Sequence, residues 1–238
     1  MIHVPTSPLY HYAGDLAAWL LAMLGARWVY RHRRGAVELL ARQTEPGYFI
    51  ALTIGAVAGA WLMGSLNSAR FAVPTPSHSI AGALAGGIVA VELWKWRRGI
   101  RQSTGTPFVI PLTIGIVIGR WGCLFAGLGD DTYGIPTSLP WAVDLGDHIG
   151  RHPVEIYESL SMAVFLAIYW RALVRQRPWA VRHGFHAFVL AYAVQRFAWE
   201  FLKPYPALLG PLNIFHLLMI GLSAYALAWI ARDARTAS

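Results

Sequence analysis

The chain is poor in charge and nearly without cysteine. Only 13% of its 238 residues are Asp, Glu, Lys or Arg, against roughly 25% in ordinary soluble domains. Twelve acids and twenty bases are too few to cover a globule whose residues are 56% hydrophobic. This excludes a disordered chain and argues against a soluble enzyme. A single cysteine, Cys123, cannot close an internal disulfide, so a disulfide-built secreted domain is excluded. There is no glycine-rich phosphate loop and no dinucleotide fingerprint. None of the nine histidines forms an HxxxH pair with acidic support, so the spacing carries no metal signature and no cofactor is expected. The apolar segments do not alternate with period two, which excludes a β-barrel.

What is present is apolar length. Mean hydropathy is +0.44, and seven stretches are long enough to cross a bilayer as helices: 12–30, 48–68, 79–96, 107–128, 154–174, 184–202 and 212–231. The expected fold is an all-α integral membrane protein of seven transmembrane helices, one polytopic domain over residues 1–238. Gly55 and Gly59 have the small-xxx-small spacing of close helix packing. Residues 1–11 lack a basic start and a cleavage pattern, so the first span is expected to be retained. The loop 129–153 is rich in Gly, Pro and Asp. It is expected to be irregular and to fold over the outer helix ends.

The formal charge of +8 and the pI near 10.0 invite a nucleic-acid reading, which position removes. Fifteen of the twenty bases follow or flank the ends of spans 1, 3, 5 and 7 that lie on one side. Arg70, Arg151 and Lys203 lie on the other side, and Arg120 and Arg196 fall within spans. The asymmetry places the N-terminus outside and the C-terminus in the cytoplasm. The aromatic residues fit interfacial belts better than base-stacking platforms.

Ionisable residues inside a membrane are costly and so mark candidate sites. Tyr192, Arg196, Glu200 and Lys203 share one face of the sixth span, where Arg196 and Glu200 pair at i,i+4. They form either a self-neutralising pair or a phosphate-binding arginine held by Glu200. Arg120 lies between Gly119 and Gly122; it either snorkels to the outer interface or serves a site. His78, at the outer start of the third span, suits a general base or an interface residue, with Ser77 and Ser79 available as caps. Pro153 and the acids after it suit a helix start, which leaves Arg151 and His152 unexplained. Cys123 reads as a small buried hydrophobe rather than a nucleophile. Two guanidinium groups suit one phosphate, so these residues together describe an anion site near the outer leaflet for a phospholipid headgroup.

Four places resemble the prolipoprotein diacylglyceryl transferases. These are His78-Ser-Ile-Ala-Gly82; Gly119-Arg120-Trp-Gly122 with Tyr133-Gly134-x-Pro136 and Leu139-Pro140-Trp141; Arg151-His152-Pro153-x-x-x-Tyr157-Glu158; and Tyr192-x-x-x-Arg196-x-x-x-Glu200-Phe201. Their order and spacing agree with the family over roughly residues 10–230. The resemblance implies a transferase of the bacterial inner membrane with its site open to the outer leaflet. Its substrates would be phosphatidylglycerol and the lipobox cysteine of a prolipoprotein. It assigns His78, Arg120, Arg196 and Glu200 to catalysis, and Tyr12, Gly134, Arg151, His152 and Tyr192 to substrate binding. The chain departs from the family in carrying Cys123 where Asn is usual and Ser79-Ile80 where Gly-Gly is usual. The segment from Trp141 to Arg151 is also short for the family's outer head. A paralogue with another acceptor and a non-catalytic lipid-binding or transport protein stand as alternative readings.

Overall fold

The computed structural model describes residues 1–43, 45–70 and 77–236. Each expected apolar stretch coincides with a long helix: α1 Pro8–His32, α3 Pro46–Ser68, α4 Ile80–Arg97, α5 Val109–Ala126, α6 Val154–Val174, α8 Gly184–Glu200 and α9 Ile214–Thr236. Two shorter helices, α2 Arg34–Gln43 and α7 Pro178–Arg182, occupy basic connecting segments. Helices dominate because a segment in lipid must satisfy its own backbone groups. Four stretches meet the length and hydropathy of a span: Pro46–Ser68, Thr106–Asp130, Val154–Val174 and Ile214–Arg232. The other three expected spans, in α1, α4 and α8, are helices that carry charged residues along their length.

Local chemistry sets the helix ends. Ser7 caps α1 by accepting from Leu9 N (3.3 Å), and Pro8 takes the first helical position. Ser79 caps α4 by accepting from Gly82 N (3.4 Å). Helix α5 stops at Gly127, whose φ of +78° few other residues adopt.

Glycine determines which helices meet. A methyl group at Gly55, Gly59, Gly82 or Gly86 would run into the facing backbone of α3 or α4. The two helices therefore pack backbone to backbone, as Gly55 and Gly59 suggest. Gly14 of α1 meets Gly122 of α5 in the same way. Larger side chains fill the centre, where Met162, Phe188, Tyr192, Ala193, Met219 and Ala226 pack together fully buried. An apolar cavity of about 210 Å³ lies between the α3–α4 hairpin and α5, α8 and α9.

Contacts separate the two ends. At one, Arg98 pairs with Glu45 (2.7 Å) and Arg232 donates to Arg101 O (2.9 Å). Of the bases on which the orientation rests, Arg42 and Arg235 have side chains outside the described set. At the other end, the loop 129–153 is less irregular than expected. Its strands β2 Val143–Asp144 and β3 Gly150–Arg151 pair antiparallel, and β1 Ile2–His3 joins β2 in parallel. Val4, Leu124, Val143 and Leu145 form a small apolar core beneath this sheet. The loop is tied down through Ile135 N to Leu202 O (2.7 Å) and Tyr205 Oη to Asp131 O (2.8 Å).

Candidate active site

Under this small head, three helices bring their charged residues to one buried carboxylate. Glu158 of α6 is 1% exposed. Arg120 Nε of α5 lies 2.6 Å from Glu158 Oε2. Arg196 Nη1 of α8 donates to Glu158 Oε1 at 2.7 Å, and Lys203 Nζ lies 3.0 Å from the same oxygen. Arg196 also holds Glu200 at i,i+4 through Nε and Oε2 (2.9 Å), the pairing expected from sequence. Its guanidinium lies over the Phe215 ring, 5.5 Å from the centroid. Groups this deeply buried persist as ions only because each faces an opposite charge.

Among these five groups the cations outnumber the carboxylates by one. Glu155, also buried, lies one turn earlier on α6 and accepts from Thr132 Oγ1 at 3.1 Å. Among the described residues, Arg120 faces Glu158 with Nε as an ion pair and donates Nη1 to Cys123 Sγ (3.9 Å). Arg196 faces Glu200 with Nε as an ion pair and donates Nη1 to Glu158. A guanidinium offers about five N–H donors, so each arginine keeps donors for an incoming oxyanion while the carboxylates fix its plane. Tyr192, one turn before Arg196, is fully buried in electrostatic reach of both arginines. Its hydroxyl has no hydrogen-bond partner among the described residues.

Glu200 is anchored from its other side by the start of α9. Asn213 Nδ2 donates to Glu200 Oε1 (3.1 Å), and Asn213 Oδ1 accepts from Phe215 N and His216 N (2.9 and 3.1 Å). His216 Nδ1 in turn accepts from Asn213 N (3.1 Å). This is a reciprocal capping box closed by histidine instead of the usual Glu or Gln. It consumes Nδ1 as an acceptor and so puts the proton of the neutral ring on Nε2.

The remaining sequence candidates make their contacts outside this ion cluster. His78 is exposed just before the Ser79 cap, with its ring 6.5 Å from that of His11 and 6.0 Å from that of Trp61. His11 leads back to the arginines. Its Nδ1 lies 2.9 Å from Asp130 Oδ1, and Cys123, which contacts Arg120, belongs to the same cluster. Tyr12 is exposed, edge-on to His11 at 6.2 Å. Gly134 is buried against the His152 carbonyl, where a methyl group would not fit. His152 Nδ1 lies 3.5 Å from Tyr157 Oη, which accepts from Trp141 Nε1 at 2.7 Å. Arg151 commits its fork to Asp147 at 2.6 and 2.7 Å. That bidentate bond raises the Arg151 pKa and holds Asp147 below the usual carboxylate range. An apolar cleft of about 480 Å³ lies between the head and helices α5 and α6, lined by Val4, Trp121, Trp141, Val143, Ile156 and Tyr157 among others.

Sequence reasoning underrated Glu158, taking it for a helix-start acid. Its place in the second turn, beyond the reach of the helix dipole, was the available signal. The pairings of Asn213 with Glu200 and of His11 with Asp130 have no linear signal, since each joins residues on different elements.

Fold and site together define a multi-pass helical membrane protein built around buried, carboxylate-held guanidinium groups. The profile of the prolipoprotein diacylglyceryl transferase family matches residues 2–232, and the chain belongs to that family. It is 31% identical over 179 residues to a phosphatidylglycerol–prolipoprotein diacylglyceryl transferase of Gloeobacter violaceus, covering 68% of this chain and 64% of the relative. It is 33% identical over 149 residues to one from Thermosynechococcus vestitus, covering 57% and 53%. It is 29% identical over 235 residues to one from Synechococcus elongatus, covering 91% and 72%. The chain thus spans about half to two thirds of the first two relatives' length. No solved structure matches it.

Proposed function

We propose that this chain transfers the diacylglyceryl group of phosphatidylglycerol to the lipobox cysteine thiol of a prolipoprotein in the bacterial inner membrane. A thioether C–S bond forms at the glyceryl carbon that carries the phosphate. The C–O bond to phosphate breaks, the thiol proton passes to His78, and glycerol phosphate leaves. The observation that carries this reading is the meeting of Arg120 and Arg196 on Glu158, with guanidinium donors still available for an oxyanion. As the ester bond breaks, the phosphate gains negative charge, which buried donors stabilise far better than water-exposed ones do. A thiol reacts as thiolate, so a base is needed, and His78 on the exposed side of the arginines suits an acceptor arriving from outside. The apolar cleft beside Trp121 and Tyr157 suits hydrocarbon or the apolar residues of a lipobox. In this reading all seven long helices cross the membrane. The N-terminus and the head face outward, the C-terminus is cytoplasmic, and the site opens to the outer leaflet. Glu200 orients Arg196, and Tyr192 borders the phosphate. Tyr12, Gly134, Arg151 and His152 shape the entrance.

The test is complementation of a host depleted of its own transferase, with transfer from phosphatidylglycerol to a lipobox peptide by the purified protein. Growth and release of glycerol phosphate are expected. His78→Ala and Arg196→Ala should each lose on the order of 10²-fold or more in rate while remaining folded. Arg196→Lys should not rescue, because an ammonium cannot serve Glu158, Glu200 and a phosphate in one plane. Absence of glycerol phosphate release with every lipobox peptide would overturn the proposal.

A further inference from the structure

His11, Cys123 and Asp130 come from α1, α5 and the turn after α5, and no linear spacing links them. One ligand atom of each lies within 4.8 Å of the other two. Imidazole, thiolate and carboxylate form the mixed donor set that borderline-soft ions such as zinc select.

The groups behind these three are arranged as at metal centres. With His11 Nδ1 turned toward Asp130 (2.9 Å), the other ring nitrogen, Nε2, lies 3.4 Å from Asp15 Oδ2. A ligating histidine typically hands its second N–H to such a carboxylate, which fixes the ring. Thr132 Oγ1 lies 2.9 Å from Asp130 Oδ2, leaving Oδ1 on the cluster side. Arg120 Nη1 donates toward Cys123 Sγ (3.9 Å), which fixes the direction of the sulfur. The backbones that carry the ligands are locked together. Gly14 of α1 is seated against Gly122, and Ser7 N bonds Phe125 O at 2.9 Å.

We propose that His11, Cys123 and Asp130 form a binding site for one divalent transition-metal ion of the zinc class. His11 Nδ1, Cys123 Sγ and Asp130 Oδ1 are the ligands, and the fourth position is open. A doubly charged ion is neutralised there by one thiolate and one carboxylate. Three metal–ligand bonds form, the thiol proton leaves to solvent, and no atom changes oxidation state. Ligand atoms around a tetrahedral zinc stand about 3–4 Å apart, given bonds of about 2.0–2.3 Å. Small side-chain rotations bring the three atoms to that spacing.

The test uses full-length, tag-free protein in detergent, stripped with chelator and titrated with Co²⁺ and then Zn²⁺. Neither phosphatidylglycerol nor acceptor is present, so the outcome is separate from that of the transferase proposal. One Co²⁺ per chain is expected, with a thiolate-to-cobalt charge-transfer band that Zn²⁺ bleaches. Cys123 is the only cysteine, so the band reports this site alone, and C123S must abolish it. H11A and D130N should weaken affinity at least tenfold, and D15N about tenfold through the outer shell. Asp15 is more than half exposed, so D15N keeps the measurement interpretable if a ligand variant fails to fold. A wild-type protein with no charge-transfer band, or a D15N affinity equal to that of the wild type, would overturn the proposal.

Discussion

Replacing Glu158 with glutamine keeps the side chain's volume and removes one charge. That charge faces Arg120 at 2.6 Å, Arg196 at 2.7 Å and Lys203 at 3.0 Å, in a site 1% exposed. The amide oxygen can still accept one hydrogen bond, but its NH₂ turns a donor toward groups that have only donors. Removing one member of a buried ion pair costs about 3–5 kcal/mol. In a chain of this size, 1 kcal/mol shifts the melting temperature by about 2–4 °C. Glu158→Gln should therefore lower the melting temperature by about 6–20 °C, followed by tryptophan fluorescence in detergent. Adding Lys203→Met removes one unanswered cation and should recover part of the loss, as coupled neighbours do. Transfer by the single variant should fall on the order of 10²-fold, because Arg120 then loses its carboxylate and Arg196 is held by Glu200 alone. If Glu158→Gln melts within about 2 °C of the wild type, the carboxylate does not hold this cluster together and the reasoning fails.

Gly86→Leu should destabilise by about 1–3 kcal/mol or more, seen as protease sensitivity, because its side chain enters the Gly55 and Gly59 backbone. Gly221→Leu, with nothing within 4 Å, should stay within about 0.5 kcal/mol of the wild type. Asn213→Ala removes the α9 cap and a Glu200 partner; it should lower the melting temperature by about 1–8 °C. The head should depend on pH. The Gly146 N–H, with His3 and the His148 N–H, holds Asp144 below the ordinary carboxylate pKa, and Arg151 does the same for Asp147. Groups depressed on folding stabilise above their unfolded pKa near 3.9 and lose that contribution as pH falls through the folded value. Hydrogen exchange at Val143 and Arg151 should thus be protected from pH 7 down to about pH 5 and lose protection below about pH 4. Unchanged protection at pH 3 would contradict the assignment.

The helices were legible because the signal for a lipid-spanning helix is length and apolarity, which a linear reading captures. Arg196 with Glu200 was legible for a similar reason, since i,i+4 places them on one face. What the arginines hold was not legible. Glu158 sits beyond Pro153, where an acid has a sufficient local explanation, and its true partners lie 38 residues away in each direction. Arg151 is the reverse case: it stands out in the sequence as an unexplained cation, and its partner is Asp147, four residues earlier in a loop. The head sheet was invisible because two-residue strands have no measurable period, and one of the two partners of β2 is β1, 141 residues earlier in the chain.

The glycine contacts of α3 with α4 and of α1 with α5 reverse a habit of thought drawn from water-soluble proteins. There the bulky core side chains specify the structure, and small residues fill the gaps between them. Here the surrounding lipid is as oily as leucine, so size and greasiness distinguish nothing, and the residues with no side chain say which helices belong together. A saturation scan would register this as an inverted map. The outward-facing Leu, Trp and Ile positions would accept almost any apolar replacement. The deepest intolerance would run in a thin line through Gly14, Gly59, Gly82, Gly86 and Gly122.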